Sequence, residues 1–126
     1  MSQSPLIHHA VASEYFFVEG CFIVECWNVR QDASVSVARA RVEPGMTTHW
    51  HRLHGVTERY LILEGQGRVE VGALTPENVR SGTVVLIPPG FRQRIANTGD
   101  TDLIFLAICT PRFTSAIYED LELKPD

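Results

Sequence analysis

Apolar and polar residues alternate with a period of two along much of the chain, the pattern of strands with one face buried. In Glu58-Arg59-Tyr60-Leu61-Ile62-Leu63, the positions Glu58, Tyr60 and Ile62 share a face. In Phe91-Arg92-Gln93-Arg94-Ile95, Phe91, Gln93 and Ile95 share one face and the two arginines take the other. Adjacent-row arginines prefer water, so the Gln93 face is predicted to be interior. Ala38, Ala40 and Val42 alternate with Arg39 and Arg41. Inward alanines there would leave room for a ligand near the axis of a barrel.

Runs rich in Val, Ile, Phe, Tyr and Thr predict strands over Tyr15–Val18, Phe22–Val29, Ser34–Val42, Thr47–Arg52, Arg59–Glu64, Gly67–Val71, Val84–Ile87, Arg92–Asn97 and Leu103–Cys109. The segments between them, EPGM, EGQG, RSG, PPG and NTGDTD, carry turn chemistry. Gly65, Gly67, Gly82 and Gly90 are expected at positive φ in such turns. Many short strands at this spacing predict an all-β sandwich or barrel. Only the tail from Thr114 to Leu121 reads as a short helix or irregular segment, and residues 1–12 as a loosely held arm.

With 126 residues the chain fits one domain, 1–126, with a core barrel over about 34–109. A net charge of −4 and the lack of a basic stripe argue against a nucleic-acid partner. No apolar run reaches the ~18 residues of a membrane span, and no signal peptide is evident. The three cysteines, Cys21, Cys26 and Cys109, have no disulfide-like spacing. A cytoplasmic protein with free, mostly buried thiols is expected.

The segment GMTTHWHRLHGVTERYLILEG carries the candidate chemistry. His49 and His51 lie two apart, so on a strand their imidazoles face the same way, and the carboxylate of Glu58 on the next strand can meet them. This is one way to build a metal site. Tyr60 lies inward beside Glu58 and is a candidate proton donor. Trp50 falls between the histidines and faces away, toward packing. His54 is expected in a solvated loop, and His8 and His9 in the arm, not as ligands.

The spacing of these residues resembles the cupin family. Gly45 is followed by five residues and then His51; Leu53 stands two further on, Glu58 after four more and Gly65 after another six. Downstream, Gly82 is followed by five residues and Pro88, then Gly90, Gln93 and Asn97. The resemblance implies a double-stranded β-helix, or jelly roll, and a barrel metal site that is typically three His and one Glu. Here Leu53 and Gln93 occupy two of those positions, and His49 could supply the missing imidazole from one step along. The implied ligand set is His49, His51, Glu58 and Gln93, suited to iron, manganese, nickel or zinc.

Two functions follow as expectations. One is a metal-dependent isomerase, lyase or dioxygenase-like cupin acting on a small polar metabolite, with Glu58 or Tyr60 moving a proton. The other is a metal-free, non-catalytic cupin binding a small acid or sugar. A metal-free sugar epimerase ranks last, because no Asp is evident to orient His49 or His51. The resemblance also implies a homodimer, for which EYFF and CFIVECW supply apolar strands needing cover.

Overall fold

The computed structural model describes residues 4–9 and 13–122. Eleven strands follow in order: β1 Tyr15–Phe17, β2 Cys21–Trp27, β3 Ser36–Val42, β4 His51–Leu53, β5 Thr57–Glu64, β6 Gln66–Val71, β7 Glu77–Arg80, β8 Val84–Ile87, β9 Gln93–Asn97, β10 Leu103–Thr110 and β11 Tyr118–Asp120. They form two antiparallel sheets, ordered β1-β2-β3-β10-β5-β8 and β11-β4-β9-β6-β7. The inner faces of both sheets enclose one core, with Val42, Ile62, Ile87, Ile95 and Leu103 almost wholly buried. The architecture is the all-β fold that the alternation and turn spacing predict, in the jelly-roll form that the cupin resemblance implies.

The period-two pattern translates directly into burial. Glu58, Tyr60 and Ile62 of β5 are buried, and so are Gln93 and Ile95 of β9. Phe91 departs from it and is exposed, because β9 begins only at Gln93 and alternation does not extend into the preceding loop. Gly65 sits at φ +87°, and a Cβ there would lie 2.6 Å from the Asp102 carbonyl oxygen. Gly67, expected at positive φ, instead lies within β6; its Cβ would lie 2.8 Å from the Leu103 side chain and 2.9 Å from the Ala96 carbonyl. Close approach, rather than backbone handedness, requires that second glycine.

Two strands escape the sequence pattern. β7 buries only Val79 among polar neighbours and is held at a sheet edge by β6. β11 follows a single 3₁₀ turn at Ser115–Ile117 and pairs with β4. The tail is therefore a strand of the barrel. Of the arm, residues 4–9 are exposed, and 1–3 and 10–12 lie outside the described residues. The three cysteines are free, with Cys21 and Cys109 buried. Among the described residues no helix is long and apolar enough to cross a membrane.

Candidate functional site

Strand pairing sets His51 of β4 directly against Gln93 of β9. On the facing sheet, Glu58 of β5 pairs with Cys109 of β10, which pairs in turn with Ser36 of β3. All five side chains are buried. A further polar contributor comes from the tight turn joining β1 to β2, where Glu19 precedes Gly20. The Glu19 carbonyl accepts from the His49 amide at 2.7 Å, which ties this turn to the entry of β4. Its carboxyl then lies 3.1 Å from His51 Nε2.

The hydrogen bonds of His51 determine its tautomer. Nδ1 lies 2.6 Å from the His49 carbonyl oxygen, an acceptor only, so Nδ1 carries the hydrogen. Burial holds His51 below its ordinary range, which keeps the ring neutral and leaves Nε2 as an acceptor. Burial pushes Glu19 up to about 8, so its carboxyl holds a proton at neutral pH and donates it to Nε2. Tyr118 of β11 stacks on the imidazole, with ring centroids 5.4 Å apart. The result is a fixed hydrogen-bond chain from Glu19 through His51 to a backbone carbonyl.

Glu58 is the second inward carboxyl. Burial raises it to about 7, offset in part by the nearby His51 ring and Gln93 amide. The Cys109 thiol approaches Glu58 Oε2 at 4.0 Å, while Oε1 has no hydrogen-bond partner among the described residues. The Tyr60 hydroxyl donates to Gln93 Oε1, and Gln93 Nε2 is likewise left without a partner. Gln93 does not line the cavity and its amide acts on the Glu58 carboxyl, so of the two groups only Glu58 is open to a polar ligand there. Burial pushes the Tyr60 phenol and the thiols of Cys21 and Cys109 upward, so none is ionised at neutral pH.

Glu19 and Glu58 both line a cavity of about 60 Å³. Ala38 and Ala107 supply the space, as inward alanines of β3 predict, and Phe17 and Phe113 contribute aromatic wall. Tyr60, Gln93 and His51 stand behind this lining rather than in it.

The four expected metal ligands are placed differently from one another. His51, Glu58 and Gln93 are interior. His49 is about one-third exposed, and its Nδ1 pairs with Asp120 of β11 at 2.9 Å. The expected strand Thr47–Arg52 begins only at His51, apart from a bridge at Thr47, so a shared face for His49 and His51 is not enforced. Leu53 is packed in a small apolar cluster with Val56 and Cys109. Among the described residues no three His, Cys, Asp or Glu side chains group so as to hold a metal ion. As folded, the donors do not fit a four-ligand centre: His49 and Gln93 Oε1 are already engaged.

Other sequence expectations resolve simply. The guanidinium groups of Arg92 and Arg94 lie over the Trp50 ring, at 4.3 and 4.4 Å from its centroid, and Arg94 also pairs with Glu70. Arg59 donates to Thr110. His54 is exposed and pairs with Glu119 at 2.7 Å. His8 is exposed and packs against the Trp27 ring. Glu19 and Asp120 are the site residues the sequence reading misses. One is a lone glutamate in a turn and the other a tail aspartate, and neither carries a periodic or motif signal.

Two antiparallel sheets packed face to face, with a small cavity on the inner side of the larger one, define a double-stranded β-helix. The chain belongs to the cupin family: a model described as a cupin domain matches residues 38–109. A glucose-6-phosphate isomerase of Pyrococcus horikoshii is 39% identical over 66 residues, covering 48% of this chain and 34% of that protein. The chain thus spans only about a third of that relative's length. An oxalate-binding protein of Thermotoga maritima is 38% identical over 72 residues, covering 56% of this chain and 58% of that one. The solved structure of a nucleoside dehydratase superposes with a TM-score of 0.77 at 17% identity, covering 97% of this chain and 95% of that chain, which establishes likeness of fold.

Proposed function

We propose that this cupin binds a small polar metabolite in the barrel cavity and moves a proton on it without a metal. Glu58 is the general base and Glu19 the general acid, whose proton rests on His51 Nε2 and turns from it to the substrate when it is delivered. The observation that carries this reading is two carboxyls on one cavity, Glu58 buried and Glu19 largely so, each raised toward neutral pH. A catalytic acid or base works best with its pKa near the working pH. Tyr60 acts as a positioning residue through Gln93. Isomerisation or elimination of a small molecule is the reaction class this pair serves.

The test uses untagged, EDTA-dialysed protein incubated in D₂O with a pool of small hydroxy, keto and amino compounds. Proton NMR then reads exchange or loss of carbon-bound hydrogen. Turnover of at least one compound, abolished in Glu58→Gln, is expected. Binding without any exchange would contradict catalysis and leave the non-catalytic binding module.

A second reading retains a divalent metal, iron, manganese, nickel or zinc, on His49, His51, Glu58 and Gln93. It is favoured by the open Oε1 of Glu58 and the interior placement of His51 and Gln93. It requires Asp120 to release His49 and the Gln93 amide oxygen to leave Tyr60. Stoichiometric metal in untagged protein, lost in His51→Ala, would establish it; none would remove it. We also propose a homodimer, supported by exposed apolar residues on one outer sheet face, Phe16, Val84 and Leu86.

A further inference from the structure

We propose that the barrel cavity takes the ammonium head of a small organic amine, so that the substrate class is cationic rather than acidic. This rests on the cavity being the ligand site. Three carboxyl side chains line it, Glu19, Glu25 and Glu58, and no Lys, Arg or His does. Glu58 is more than nine-tenths buried, and its Oε1 accepts no hydrogen bond from any described residue. A buried acceptor in that condition calls for a donor from the ligand, and a charged N–H donor satisfies it most strongly. Glu25 lies nearer the surface, where it accepts from the Tyr15 hydroxyl at 3.2 Å.

The rest of the wall fits the same head group. Tyr15, Phe17 and Phe113 line the cavity. Aromatic faces attract an alkylammonium through the ring quadrupole while tolerating its carbon atoms. A dicarboxylate or phosphate would instead find no Lys, Arg or His side chain in this wall to pair with its charge. Its desolvation would then go uncompensated. A cavity of about 60 Å³ has room for roughly four to six water-sized groups. That suits an aminoalkyl or methylated ammonium head, with any larger remainder of the ligand at the mouth beside Tyr15.

The test measures melting temperature and calorimetric binding on the untagged full chain, in EDTA and at constant ionic strength. The probes are ethylammonium, putrescine and choline chlorides against oxalate, glucose 6-phosphate and glycerol. At least one ammonium probe should raise the melting temperature, while oxalate and glucose 6-phosphate leave it unchanged. Glu58→Gln should weaken that ammonium's affinity by about tenfold or more. Glu25→Gln, at a half-buried position, should weaken it in the same direction. Failure of every ammonium probe, or affinity indifferent to both substitutions, overturns the proposal. Stabilisation by oxalate or glycerol that disappears in Ala38→Leu, which fills the cavity, also overturns it but leaves the cavity as the ligand site. Ammonium binding that survives Ala38→Leu overturns both.

Discussion

At the residue scale, the chemistry rests on where protons sit. Glu19 and Glu58 have folded values of about 8 and about 7 against an ordinary 4.5. The folded state therefore keeps protons that the unfolded chain gives up between pH 4.5 and these values. Stability from these two groups is fully present below 4.5 and is lost as pH rises through about 7 and 8. His51 works in the opposite sense: held low by burial, it adds stability above its ordinary 6.5 that is lost as pH falls. The groups facing them, His49, Asp120 and Cys21, modulate this balance. Between pH 6.5 and 8.5 the carboxyls dominate, so the melting temperature should fall across that window. Glu19→Gln and Glu58→Gln should each flatten the decline; a profile unchanged in both variants would contradict the raised values.

At the element scale, the turns and the strands they join were the most readable part of the sequence. The glycines at 45, 65, 82 and 90 all take positive φ, so their spacing marks where β4, β5, β8 and β9 must lie. That same spacing brought Gln93 opposite His51 and Glu58 beside Cys109. The lead-in to β4 departs from the strand expected over Thr47–Arg52, because alternation applies only once a ladder exists and His49 precedes it. β11 was missed because its residues, Tyr118, Glu119 and Asp120, have no apolar alternation; pairing with β4 makes them a strand. Glu19 could not be singled out, since its role depends on the turn folding back over β4. The turn at Gly65 offers a sharp test. With φ at +87° and a carbonyl 2.6 Å from any added Cβ, Gly65→Ala should destabilise the fold by more than about 2 kcal/mol. Denaturant unfolding measures it, and a loss below about 0.5 kcal/mol would contradict the close packing of this turn on β10.

At the scale of the whole molecule, the six-stranded sheet turns an outer face to solvent from Phe16 on β1 to Val84 and Leu86 on β8. These three residues are each at least 60% exposed, and β8 is an unpaired edge. Such a face needs cover, so light scattering at micromolar concentration should give twice the 14.1 kDa chain mass. Leu86→Asp, at an exposed position, should shift the protein toward monomer; a monomeric parent chain would remove the dimer. The fold brings together the β1–β2 turn, five strands of the six-stranded sheet and Phe113 around a cavity that none of them forms alone. The account stands on the protonation of the two carboxyls inside it. Carbon-13 NMR titration of the glutamate side chains in metal-free protein measures that directly. Two carboxyls should titrate near 7 and 8, the first absent in Glu58→Gln and the second in Glu19→Gln. If every glutamate titrates below about 5, the proton-transfer account is wrong.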